Sequence, residues 1–82
     1  MGTHSAKVEA EIERMRHVLG LNIRRARKRR KVSQQALADM CGLHRTYISD
    51  LENAKCNPTL SVMITIADCL DVKLDDLLHA QA

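Results

Sequence analysis

The sequence predicts an all-α fold, a compact bundle of about five short helices, and three observations predict it. Apolar residues recur at i, i+3 and i+4 spacings along most of the chain. Glycine, proline and capping residues cut it into short segments, with no pattern of alternating strands, internal repeats or low-complexity linkers. The apolar 45% contains one tyrosine and no phenylalanine or tryptophan, so Leu, Ile, Val, Met and Ala must build the core, a palette that suits packed helices.

The elements follow in order. A first helix covers at least Val18 to Arg30, with Leu19, Ile23, Ala26 and Arg27 on one face by the i, i+4, i+7, i+8 rule. Arg27 is thereby pointed toward the core. Val8, Ile12, Met15 and Leu19 continue a similar stripe backwards, so residues 7–16 either extend this helix or form a separate one, and Gly20 leaves that open. The expected division is an N-terminal extension, helical in part, over residues 1–16 and a folded domain over 17–82. Ser33 is a good N-cap for "QQALADMC", in which Leu37, Ala38 and Cys41 can face inward before Gly42 ends the helix. Residues 44–53 form a third helix, with Tyr47, Ile48 and Leu51 on one side and Arg45, Thr46, Ser49, Asp50 and Asn53 on the other. A fourth begins near Thr59, just after Pro58, with Leu60, Met63, Ile64, Ala67 and Leu70 as its inward stripe. Val62, Ile66 and Cys69 make a second apolar row, and "VKLDDLL" adds Val72, Leu74, Leu77 and Leu78 in a fifth helix. An isologous dimer could bury that excess, which marks Val62, Ile66, Cys69, Leu74, Leu77 and Leu78 as the expected dimer interface. Enclosure of the fourth helix by the fifth and the N-terminal extension is the alternative.

Eighty-two residues make one small domain, near the size at which a single core is only marginally stable, and leave little room for a large catalytic cavity. No run of about 18 apolar residues could span a bilayer, and no basic-then-apolar leader opens the chain. Ala6 stands where the myristoylation pattern needs Ser or Thr. A cytoplasmic protein without a membrane partner is expected. Cysteines 41, 56 and 69 are odd in number and widely spaced, which argues against a disulfide framework. Cys41 and His44 have ligand-like spacing, but no second Cys or His pair completes a zinc pattern, so neither a metal nor another cofactor is expected. No Ser/His/Asp set, paired carboxylates or phosphate loop suggests an enzyme.

Charge is lopsided. Residues 1–31 hold ten basic and three acidic side chains, residues 32–82 three and seven. "RRARKRRK", residues 24–31, supplies seven of the thirteen basic groups, a density that favours a polyanion such as nucleic acid.

Two short helices meeting at Gly42 form a helix-turn-helix, and its demands are physical: small Ala38 where the helices cross, Gly42 able to take positive φ, and Ile48 and Leu51 anchoring the second helix. From "IRRARKRRKVSQQALADMCGLHRTYISDLENAKCNPTL" through "LDDLL", over roughly residues 18–78, the sequence resembles the phage-repressor and Cro-like (XRE-type) helix-turn-helix family. "LHRTYISDLE" is most similar to the controller proteins of restriction-modification systems.

That resemblance implies a sequence-specific regulator of transcription that binds double-stranded DNA with its third helix in the major groove. Arg45, Thr46 and Ser49 would read bases, Arg45 by donating two hydrogen bonds to guanine O6 and N7. Gln34, at a helix N-terminus that favours phosphate, would join Tyr47, Asn53, Lys55 and His44 on the backbone. Glu52 and Arg27 would form a structural ion pair between the first and third helices. A homodimer would place two recognition helices about 34 Å apart on a pseudo-palindromic operator. RNA polymerase is a conceivable further partner, through Asp68, Asp71, Asp75 and Asp76. The alternative function is an antitoxin that binds operator DNA and a toxin protein, with residues 1–16 as the toxin-binding surface. Three departures from the family pattern stand out: His44 replaces the usual Ser, Thr or Asp cap, and Ala54 and Asp71 replace glycines.

Overall fold

In the computed structural model, which describes residues 5–81, five helices follow one another: α1 (Ala6–Arg29), α2 (Gln34–Cys41), α3 (Arg45–Glu52), α4 (Leu60–Cys69) and α5 (Leu74–Leu78). No strand occurs among the described residues.

Residues 6–16 belong to α1 rather than making a helix of their own, and residues 1–4 of the expected N-terminal extension lie outside the described residues. Ser5 caps it by accepting from the Val8 N–H (3.2 Å), and Arg14 and Arg16 reach back one turn to Glu11 and Glu13. At 1.5 Å rise per residue a helix of 24 residues is about 36 Å long, which accounts for most of the 39 Å long axis. Its first half lies largely in solvent, and its second half is built into the bundle by Leu19, Ile23 and Ala26. Gly20 does not break the helix; it is where α1 meets α3. A Cβ there would lie 2.5 Å from the carbonyl oxygen of Leu51 and 2.8 Å from that of Glu52, so only glycine permits this approach.

The core comprises those three residues with Leu37, Ala38, Ile48, Leu51, Ile66, Ala67, Leu70 and Leu77. Asn22 is buried as well; its Nδ2 donates to the carbonyls of Leu77 (3.0 Å) and His79 (2.7 Å), tying the C-terminal end of α5 to α1. Three non-glycine residues sit in the left-handed region after helix ends, Ala54 (φ 60°), Asp71 (φ 57°) and Lys31 (φ 58°). The first two are the expected departures from glycine. Lys31 is a third that the sequence pattern did not single out.

Two expectations need correction. The inward stripe of α4 is rotated: Ile66, Ala67 and Leu70 are buried, whereas Leu60 (62% exposed) and Ile64 (51%) face solvent. The dimer interface expected from sequence fails at Ile66 and Leu77, which are core residues at 0% and 1% exposure. Cys69 is turned toward α2, its Sγ donating to the Met40 carbonyl at 3.5 Å. On α4 the exposed polar row Ser61, Thr65 and Asp68, at i, i+4 and i+7, stands opposite Ile66 and Leu70 and turns that side inward against α2 and α5, while Leu60 and Ile64 lie beside the polar row. Val62, Leu74 and Leu78 are half-buried against the core.

Candidate nucleic-acid interface

The interface is built on the turn between α2 and α3. Ser33 caps α2 by accepting from the Ala36 N–H (3.0 Å), so the helix starts firmly at Gln34. Gly42 ends it in the left-handed region (φ 71°), and the Leu43 N–H reaches the Ala38 carbonyl (2.9 Å) to close the turn. The chain then enters α3 at His44, whose extended backbone makes the start but whose side chain caps nothing.

Ile48 and Leu51, at 0% and 2% exposure, fix the rotation of α3. The opposite side is thereby presented outward: Arg45 and Thr46 are exposed, and Ser49 and Asp50 half-buried. After the helix, Asn53 and Lys55 are exposed on either side of the left-handed Ala54, and the Lys55 N–H closes the turn on the Asp50 carbonyl (2.9 Å). Tyr47 belongs to the boundary of the core, against which its ring packs, and burial pushes its hydroxyl up from the ordinary value.

Behind α3 lies a cluster centred on Glu52, whose side chain has no exposed surface. Arg27 donates to it twice, Nε to Oε2 at 2.6 Å and Nη2 to Oε1 at 3.0 Å, and its Nη1 donates to the Val32 carbonyl (3.0 Å). The Glu52–Arg27 contact expected from sequence is therefore present. It is also larger than expected: Gln34 Nε2 (3.1 Å) and Arg24 Nε (3.3 Å) both donate to Oε1. Arg24 Nη2 further donates to Asn53 Oδ1 (3.3 Å), and Asn53 Nδ2 to Ser49 Oγ (3.4 Å). Burial opposes ionisation of Glu52, but the hydrogen bonds from Arg27, Gln34 and Arg24 and the charge of Arg27 outweigh it, holding the carboxyl below its ordinary value.

The structure thus joins Gln34, Asn53 and Ser49 in one network, with Arg45 and Thr46 on the outer side of the same helix; Gln34 is turned back toward Glu52. Arg24 is the member that sequence reading missed, because nothing in a run of seven basic residues separates one from another. Its spacing of three from Arg27, which puts both on one helix face, was the available signal. Of the remaining run, Arg25, Lys28, Arg29, Arg30 and Lys31 are exposed.

The cysteines lie elsewhere. All three are free and half-buried, and Cys41, pushed up to about 12 by burial and by the neighbouring Cys69 thiol, stays protonated at neutral pH. Among the described residues no three His, Cys, Asp or Glu side chains gather in a way that could hold a metal ion, and no helix is long and apolar enough to cross a membrane.

Comparison with known proteins gives the same picture. The sequence profile of the helix-turn-helix family matches residues 23–77. The control protein C.SmaI of Serratia marcescens is 39% identical over 67 residues, 82% of this chain and 80% of that protein. Among solved structures, the hypothetical transcription factor NHTF from Neisseria superposes with a TM-score of 0.78 at 39% identity, over 80% of this chain and 76% of that one. The restriction-modification controller protein C.AhdI from Aeromonas hydrophila does so with a TM-score of 0.73 at 29% identity, over 76% of this chain and 94% of that one.

Proposed function

Because the chain belongs to the helix-turn-helix family and is a transcription regulator of that type, we propose that it binds a pseudo-palindromic operator as a homodimer. One observation carries the reading: α3 is locked to the core by Ile48 and Leu51 while Arg45, Thr46 and Ser49 stand on its other side. A short helix held on one side and lined with donors on the other fits a major groove. Arg45 reads a guanine through O6 and N7, and Thr46 and Ser49 read neighbouring positions. Gln34 at the start of α2, with His44, Tyr47, Asn53 and Lys55, holds the phosphates on either side, and the exposed basic end of α1 adds a field that speeds encounter.

The names of C.SmaI and C.AhdI support the controller of a restriction-modification system as the specific role, and favour a regulator over an antitoxin. Such a protein acts in the cytoplasm, where the DNA is. An activating contact with RNA polymerase would fall on Asp68, Asp71, Asp75 and Asp76, all exposed. For the dimer, the structure redirects attention to Leu60 and Ile64, one turn apart on α4 and the largest exposures among the apolar side chains left uncovered.

The test is selection of bound duplexes from a random pool, followed by titration of the winner with wild type and Arg45→Ala at two salt concentrations. A symmetric motif with half-sites about one helical turn apart is expected, with preference at one guanine relaxed in the variant by roughly 1–3 kcal/mol. No motif, with affinity falling uniformly as salt rises, would sink the reading.

A further inference from the structure

Glu52 brings one negative charge into a site that holds two guanidinium groups, Arg24 and Arg27. One positive charge therefore remains unneutralised within the cluster, and the geometry says which group carries it. Arg27 is 12% exposed and spends its donors on both Glu52 oxygens and the Val32 carbonyl. Arg24 is 40% exposed and spends only Nε–H on Glu52 and one Nη2 N–H on Asn53. A guanidinium has five N–H groups, so Arg24 keeps a set of donors, including both on Nη1, with no partner among the described residues.

Its position matters as much as its charge. Arg24 touches Glu52, which also accepts from Gln34 at the start of α2, and it touches Asn53 at the end of α3. It thus stands between the two elements that the proposed function places on the DNA backbone. A flexible arginine loses side-chain entropy on binding; one already held by a buried carboxylate and an amide loses less, because its fork is set beforehand.

We propose that Arg24 is a phosphate contact of the DNA interface, aimed by Glu52 and Asn53, so that the buried carboxylate orients a backbone clamp as well as joining α1 to α3. This rests on the DNA-binding reading above and adds a residue and a mode of positioning to it.

The experiment measures the dependence of log K on log salt for wild type, Arg24→Gln and Arg24→Lys, on the selected operator and on a random duplex, well below each variant's thermal midpoint. With Arg24→Gln the slope is expected to fall by about one on both duplexes, with base preference unchanged, since a phosphate contact carries no sequence information. Arg24→Lys should keep the slope, because the charge remains, but bind more weakly than wild type, because an ammonium cannot hold Glu52 and Asn53 in a planar fork while meeting phosphate. An unchanged slope in Arg24→Gln, with only the thermal midpoint lowered, would make Arg24 a strut for Glu52 and overturn the inference. If wild type selects no motif, the operator reading fails, and the slope on random duplex still decides the role of Arg24.

Discussion

Glu52 shows how one residue sets both stability and pH response. Its side chain is wholly buried against two arginines and a glutamine, so Glu52→Ala, which strands Arg27 in the interior, is expected to cost roughly 3–5 kcal/mol in denaturant unfolding. Because the folded carboxyl titrates below its ordinary value of 4.5, the stability it contributes is fully present above that pH and is lost as pH falls through the lower folded value. Wild type should therefore lose stability more steeply below pH 4.5 than Glu52→Gln, a difference that unfolding midpoints measured across the acid range would reveal. Equal slopes would mean that the carboxylate is not held as the structure shows it. The sequence pointed Arg27 inward by helical spacing, and the family resemblance paired it with Glu52. The participation of Arg24 was marked only by its spacing of three from Arg27, and that of Gln34 and Asn53 was not legible, because it depends on how the ends of α2 and α3 converge on α1.

At the scale of elements, the turns and the helix crossing are where backbone geometry decides. Gly20 has the carbonyls of Leu51 and Glu52 pressed against it, so Gly20→Ala should destabilise by about 1–3 kcal/mol despite alanine's better helix propensity, since backbone on the facing side cannot step aside. A gain in the denaturant midpoint would show that α1 and α3 can separate freely. Ala54 presents the opposite case. Its left-handed backbone costs about 1–2 kcal/mol for a residue with a Cβ, and Ala54→Gly removes that cost while adding up to about 1 kcal/mol of unfolded-chain entropy. The net expectation is a stabilisation of about 0.5 kcal/mol, read as a higher midpoint at unchanged m-value. Helix boundaries were legible where capping chemistry marks them: Ser33, Gly42 and Thr59 stand where expected, with Thr59 accepting from the Val62 N–H at 3.2 Å. The face of α4 was marked by the polar row Ser61, Thr65 and Asp68 at i, i+4 and i+7, which are exposed, and was misplaced because the apolar residues were weighed without it.

For the whole molecule, the question is how a domain this small reads a site long enough to be specific. In the proposed dimer two copies double the contacts, and Leu60 and Ile64 are the exposed apolar surface proposed for pairing. Replacing both by serine should leave the monomer fold intact, because neither is in the core, and should shift sedimentation from dimer to monomer. Operator affinity is then expected to fall about 100-fold or more, the usual scale on which a linked second site contributes. A double variant that stays dimeric would move the interface elsewhere. By itself the sequence determined the fold class, the helix-turn-helix and the polar side of α3, because spacing, caps and a turn glycine are local and each acts within a few residues. The tertiary structure alone decided the unbroken course of α1 past Gly20 and the gathering of Arg24, Arg27, Gln34 and Asn53 about Glu52. Those are contacts between residues as many as 32 apart, Gly20 and Glu52, and the physics that selects them, close packing and the need to pair a buried charge, acts only once the helices are together.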